Sequence, residues 1–324
     1  MIQTAESVAV GHPDKVCDQV ADAVLDHCLT SDPNTRAAVE ALGGHRKLFI
    51  VGELTTTAPI DEETVKDIAN KVYADCGYGE KLDTHVTLVK QSPEIAKGVD
   101  GDGAGDQGIM VGYATAETEP LIPLETHLAR ELTRAMGERD GKAQVTVEDG
   151  AVVSFLTSVC GEYDDKIEQV VETVVAPHLK ANTSLNDAWT KNPNGPWSIG
   201  GFAADTGLTG RKIVVDAYGP KIPVGGGAFS GKDATKVDRS GAYMARKVAA
   251  DYVRKGAKDA ITYIAYAIGQ AEPVAASVII GGKEEKMTGY DLRPRAIIEQ
   301  LELRKPQFYN TARYGHFGNG YAWD

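Results

Sequence analysis

Residues 225 to 239 read Gly-Gly-Gly-Ala-Phe-Ser-Gly-Lys-Asp-Ala-Thr-Lys-Val-Asp-Arg, and they concentrate the chemistry of this chain. Flexible glycine backbone, Lys232, Lys236 and the carboxylates of Asp233 and Asp238 fall together. Lys232 and Lys236 stand four apart, so a helix there places both on one face. Glycines ahead of a helix let bare N–H groups approach an anion, and the helix N-terminus favours negative charge. Asp238 offers the hard oxygen that Mg2+ prefers. The simplest ligand is a polyphosphate with its metal. Gly226, four residues, then Gly231-Lys232 begins a P-loop, but Asp233 stands where Ser or Thr should hold Mg2+. Phosphate binding without an ordinary P-loop is the expectation; a surface loop feeding a helix with solvated lysines would use the same residues.

Other segments carry chemistry more weakly on their own. Gly11-His12-Pro13-Asp14-Lys15 opens a helix, where imidazole can donate to a departing phosphate oxygen and Asp14 can take a metal. Gly103-Ala-Gly-Asp106-Gln-Gly108 is a glycine-rich turn carrying an acid. Lys142 begins a strand after Asp140, Trp197 offers an aromatic platform before Asp205, and Arg211-Lys212 follows another glycine turn. A helix cap, an Asx turn or a solvated basic pair would account for each in isolation.

The elements that must position them recur in rounds. Helices are expected over 13–30, 61–74, 124–136, 164–179, 234–255 and 292–301. Strands are expected over 35–42 and 47–55 (a hairpin across Gly43-Gly44), 84–89, 143–147 and 151–157 (about Asp149-Gly150), 212–217, 261–267 and 274–280. Val16, Val20, Val24 and Cys28 mark the apolar stripe of the first helix. Three rounds of strand and helix with hairpin connections predict an α+β fold of three similar units, not a doubly wound parallel sheet.

The 324 residues suffice for two or three domains or one composite unit, and a net charge of −12 argues against nucleic acid as a main partner. Local Lys and Arg clusters in so acidic a chain call for an anionic ligand. Cys17, Cys28, Cys76 and Cys160 form no C-x-x-C pair, so neither a zinc site nor a disulfide framework is expected. No apolar run of membrane-spanning length and no signal peptide is recognised, which predicts a cytoplasmic protein without membrane association.

Taken in order, Ala-Glu-Ser-Val-x-x-Gly-His-Pro-Asp-Lys, Gly-Ala-Gly-Asp-Gln-Gly, Gly-Leu-Thr-Gly-Arg-Lys, Gly-Gly-Gly-Ala-Phe-Ser-Gly-Lys-Asp, Lys-Val-Asp-Arg-Ser and Tyr-Ala-Ile-Gly-x-Ala-Glu-Pro closely resemble the S-adenosylmethionine synthetase family, from Glu6 to Phe317. The resemblance implies three pseudo-threefold units, here 1–98, 103–199 and 200–324. It implies that methionine sulfur attacks ribose C5′ of ATP and that the released triphosphate is hydrolysed to phosphate and diphosphate. It makes His12 the contact to the departing triphosphate, and Lys142, Arg211, Lys212, Lys232 and Lys236 the triphosphate cations. Asp14 and Asp238 become the carboxylates for two Mg2+ per site, and Glu40 a K+ ligand. Glu53, Gln91, Asp106, Asp205 and Lys236 fall on the methionine side, Asp106 and Asp205 near the forming sulfonium. Asp140, Lys142, Trp197, Asp205, Ala228 and Ile268 become ATP contacts. The family implies a homodimer with sites at the interface, and leaves a tetramer open. The rival expectations are a methionine-independent triphosphate or ATP hydrolase and a non-catalytic nucleotide-binding relative.

Three departures from the family pattern carry expectations. Trp197 replaces the Phe that stacks on adenine in many members, so stacking should survive with altered nucleotide tolerance. The Gln91–Gly103 loop is shorter than the usual gate, which should change closure and turnover. The sequence stops at Asp324 where most relatives continue, which should remove contacts used in larger assemblies.

Overall fold

A computed structural model describes residues 1–91 and 103–324. Apart from its ends at Gln91 and Gly103, the loop expected to act as a shortened gate lies outside the described residues. β1 (Ile2–Val8) leads to α1 (Pro13–Ser31), the hairpin β2 (Arg36–Gly44) and β3 (Lys47–Thr55), α2 (Glu62–Asp75) and β4 (Asp83–Val89). The pattern repeats as β5 (Gly108–Thr115), α3 (Leu124–Ala135), the hairpin β6 (Gly141–Glu148) and β7 (Ala151–Val159), α4 (Asp165–Val170), α5 (Leu185–Ala188) and β8 (Trp189–Lys191). A third round runs β9 (Gly207–Leu208), α6 (Ile213–Asp216), α7 (Val237–Arg254), β10 (Asp259–Tyr266), β11 (Ala275–Ile280), β12 (Lys283–Lys286), α8 (Pro294–Gln300) and α9 (Phe308–Tyr314).

The strands form three four-stranded sheets, ordered β1-β6-β7-β8, β9-β2-β3-β4 and β5-β10-β11-β12. The first strand of each round therefore leaves its own round. β1 pairs with β6, β5 with β10 and β9 with β2, all antiparallel. Among the described strands, the pairs β3–β4 and β7–β8 are parallel, each crossing over through helix. The α+β expectation holds, and the exchange of strands closes the three rounds into a ring.

α1 starts where His12 caps it, its Nδ1 accepting the Asp14 N–H at 3.1 Å with Pro13 following. Val16, Val20 and Val24 are buried, in one large core shared with β2, β3, α2 and α7. A second core joins α3, β6 and β7 through Leu128, Leu132, Val145 and Phe155.

Several expected elements change. The first hairpin turns at His45-Arg46, both with positive φ (50° and 68°), rather than at Gly43-Gly44. Gly43 is needed elsewhere: a Cβ there would lie 2.2 Å from the Phe202 ring. The helix expected over 164–179 narrows to α4, then widens at Val171–Val175 and tightens at Ala176–His178, where Pro177 interrupts it. The expected strand over 212–217 is a helical turn, with Asp216 N–H donating to Lys212 O at 2.8 Å. No neighbouring strand takes its edge; Arg130 satisfies the carbonyls of Val215, Asp216 and Ala217 at 3.3, 3.1 and 2.6 Å.

Lys232 and Lys236 do not share a helix face, because α7 begins only at Val237. Lys232 lies beside Ala38 of β2 as an added edge pairing, and Lys236 precedes the helix. The P-loop position Asp233 explains the difference. Its carboxylate accepts the N–H groups of Ala37 (2.8 Å) and Thr235 (2.9 Å) and pairs with Lys236, so it ties the loop to β2 and sets a turn over 233–236, closed by Lys236 N–H on Asp233 O at 3.1 Å, before α7 begins.

Candidate active site

The candidate residues gather in two sets. The first surrounds the start of α1. Asp14 is buried, and its Oδ1 accepts Leu208 N–H at 2.9 Å and meets Arg211 Nε at 3.2 Å. Its Oδ2 accepts from Lys212 Nζ at 2.5 Å. Burial alone would raise this carboxyl, but the Lys212 and Leu208 hydrogen bonds and the Lys212 charge hold it below the ordinary value. The loop can approach because Gly207 has no side chain: a Cβ there would sit 2.1 Å from Pro13 O.

His12 is neutral. Burial, then the charges of Lys212 and Lys142, press its pKa down to about 3. With Nδ1 accepting from the backbone, the proton resides on Nε2. The site thus offers an uncharged N–H donor beside three cations, Lys142, Arg211 and Lys212. Asp205 is exposed, yet its charge acts on both His12 and Asp140. Asp140 is buried and accepts Gly201 N–H at 3.0 Å; burial pushes its pKa up to about 6. Lys142 sits opposite Ser158 in the β6–β7 register, and Ser158 Oγ accepts the Trp197 indole N–H at 3.2 Å. Ala228 lies against Gly210, beside the Arg211 loop.

The second set lies along the edge of β2 and the start of α7. Lys232 Nζ meets Asp238 Oδ2 at 2.7 Å. A Cβ on Gly227 would fall 2.1 Å from Asp238 Oδ1, so the glycine loop packs directly against that carboxylate. Burial raises the Glu40 pKa, opposed by the charge of Lys232. Glu53 of β3 is the register partner of Ala38, which in turn pairs with Lys232. Asp106 accepts the Gln107 N–H at 2.7 Å, and a Cβ on Gly108, two residues on, would lie in ordinary contact with Asp238 Oδ1 at 3.8 Å. Gln91 N–H donates to Thr55 Oγ1 at 3.0 Å, while its buried Oε1 has no partner among the described residues. Ile268 is exposed.

Among the described residues, no hydrogen bond or ion pair runs from one set to the other, and no group of three or more His, Cys, Asp or Glu side chains could hold a metal. The candidate residues of one chain thus stand as two sets with no direct polar link. Asp14 and Asp238 each present a lone carboxylate among cations. That donor set fits Mg2+, which is held by one or two carboxylates plus substrate phosphates.

Sequence reasoning missed the acids behind these loops. Asp18 accepts Gly210 N–H at 2.9 Å, and Asp22 accepts Gly231 N–H at 2.8 Å. The buried Lys15 ammonium joins Asp18 and Asp216 at 3.1 and 2.6 Å. A signal was present: Asp14, Asp18, Asp22 and Asp26 recur every four residues beside the apolar stripe.

The matches to known proteins agree with this architecture. Models of the S-adenosylmethionine synthetase N-terminal, central and C-terminal domains match residues 1–98, 101–195 and 199–324. The chain belongs to the S-adenosylmethionine synthetase family. It is 41% identical to the S-adenosylmethionine synthase of Mesoplasma florum, over 99% of this chain and 96% of that protein. Against the S-adenosylmethionine synthase of Desulforudis audaxviator the identity is 43%, covering 98% and 93% of the two chains. Against that of Nitratiruptor sp. it is 43%, covering 97% and 92%. None of the described helices in this synthetase-family chain is long and apolar enough to cross a membrane.

Proposed function

We propose that the protein makes S-adenosylmethionine from ATP and L-methionine and hydrolyses the released triphosphate to phosphate and diphosphate. The observation that carries this reading is the neutral, Nε2-protonated His12 set beside the Asp14–Lys212–Arg211 cluster. Methionine supplies the nucleophile, so no activated serine or cysteine is required. As the sulfur–C5′ bond forms, the C5′–oxygen bond breaks and its electron pair leaves with the triphosphate. His12 donates its Nε2 hydrogen to that oxygen without itself changing charge. Lys142, Arg211, Lys212, Lys232 and Lys236 stabilise the charge that develops on the leaving group. Asp106 and Asp205 offset the new sulfonium. Trp197 stacks on adenine, and Asp140, Ala228 and Ile268 complete the nucleotide contacts. Glu53 and Gln91 face methionine, and the orphaned Gln91 Oε1 suits an ammonium donor.

Asp14 and Asp238 hold two Mg2+ per site and Glu40 a K+; when bound, these ions neutralise the triphosphate. The two separate residue sets fit a homodimer in which the first set of one subunit faces the second set of its partner. The outward face of the β9-β2-β3-β4 sheet supports this, since Leu42, Phe49, Val51 and Val89 stand exposed around Glu40 and Glu53. Incubation with ATP, L-methionine, Mg2+ and K+ should yield the sulfonium product together with phosphate and diphosphate. Phosphate release that ignores methionine would favour the hydrolase instead.

A further inference from the structure

We propose that Asp18 and Asp22 are positioning residues, which make α1 the rod that registers two cation-bearing loops of the subunit, one from each of its two residue sets. The inference rests on the proposed reading that those loops bind the triphosphate.

Four aspartates lie on one face of α1, and each meets backbone N–H groups from a distant part of the chain. Asp14 takes Leu208, Asp18 takes Gly210, Asp22 takes Gly231, and Asp26 takes Gln307, Phe308 and Tyr309. Four residues of helix rise about 6 Å, so successive acids clamp successive segments at a fixed spacing. Gly210 immediately precedes Arg211 and Lys212, and Gly231 immediately precedes Lys232.

Each central acid is itself braced. Lys15 pairs with Asp18 at 3.1 Å and with Asp216 at 2.6 Å, which closes both ends of the Arg211–Lys212 segment onto α1. Arg239 grips Asp22 with two bonds, at 2.7 and 2.8 Å, and also donates to Lys232 O at 3.0 Å. Arg239 follows Asp238, so a single guanidinium ties the Asp22 carboxylate, the Lys232 backbone and the start of α7. All of these side chains are buried, where a carboxylate-to-amide bond is strong and a displaced loop has no water to fall back on.

Asp26 provides an internal control. It makes the same kind of bond on the same helix, but residues 307–309 carry no proposed site residue. The test compares Asp18→Ala, Asp18→Asn, Asp22→Ala and Asp26→Ala in the full-length protein, with kcat and KM for ATP measured at saturating methionine. Loss of the Gly210 anchor should cut kcat/KM about 100-fold in Asp18→Ala. Asp18→Asn keeps an acceptor oxygen and should recover most of that loss, while Asp26→Ala should leave kcat and KM unchanged. Amide hydrogen exchange gives a second readout that needs no activity. The Gly210 amide should exchange faster in Asp18→Ala with Gly231 unaffected, and the reverse should hold in Asp22→Ala. The proposal is overturned if Asp18→Ala and Asp22→Ala lose melting temperature but keep wild-type kcat and KM. It is equally overturned if Asp26→Ala lowers kcat to the same degree as Asp18→Ala, or if Gly210 and Gly231 exchange alike in every variant. A wild-type protein that forms no sulfonium would sink the proposed activity, while the exchange pattern would still judge the rod.

Discussion

Acidifying the ligand-free protein weighs the burial of His12 against its ordinary basicity. The imidazole has an ordinary pKa of 6.5 and is pressed down to about 3 in the fold, first by burial and then by Lys212 and Lys142. The unfolded chain binds a proton at this residue below pH 6.5, and the folded chain does not until about pH 3. Stability from the neutral imidazole is therefore fully present above 6.5 and is lost as pH falls toward about 3. Each pH unit in that window costs about 1.4 kcal/mol, so His12 removes about 2 kcal/mol by pH 5. Buried carboxyls run the other way: burial pushes Asp26 and Asp140 up to about 6, and these groups gain stability on acidification. The clean quantity is a difference. His12→Asn keeps a side-chain oxygen to cap α1 but cannot take the proton. Denaturant unfolding of both proteins at about pH 8 and about pH 5 should show the wild type losing about 2 kcal/mol more than the variant. A wild-type-minus-variant difference that stays flat across that range would refute the neutral, desolvated imidazole, and with it the uncharged donor in the mechanism.

Lys212→Met removes the closest cation from Asp14 and should lower kcat by about 100-fold or more, measured as methionine-dependent phosphate release. Asp238→Asn should raise the Mg2+ concentration needed for half-maximal rate, read from a metal titration at fixed ATP. Trp197→Phe should leave KM for ATP near wild type, whereas Trp197→Ala should raise it about tenfold through lost stacking. Gly231 has φ +81°, and a Cβ there would lie 1.9 Å from Val39 O. Gly231→Ala should therefore both lower the unfolding midpoint and displace Lys232, which steady-state kinetics would show as a fall in kcat/KM.

Much of the frame was legible in local pattern. The Val16–Val20–Val24 stripe located α1, and Asp149-Gly150 marked a turn that forms with both φ values positive (52° and 84°). The same rules misled at 212–217, where β-branched residues suggested a strand but Arg130 and Lys15 hold a helical turn. Those partners come from α3 and α1, beyond the reach of a local window. The lysine pair misled for a related reason: i, i+4 spacing speaks only inside a helix, and the Asp233 carboxylate ties the chain to β2 and into a turn before α7 begins at Val237. Residue types named the candidate site. Its division into two sets, and the acids that brace its loops, depended on which strand paired with which, and no spacing along the chain encodes that.

The ring of strand exchanges has a consequence for biosynthesis. The β9-β2-β3-β4 sheet cannot be completed until Gly207 and Leu208 have left the ribosome, long after β2 and β3 were made. β1 likewise waits for β6, and β5 for β10. A nascent chain cut anywhere inside the ring would hold at least one unfinished edge, open to pairing with a stranger. Each third would thus emerge as an incomplete module, and chaperone shielding of the growing polypeptide should matter most until the last exchange is made.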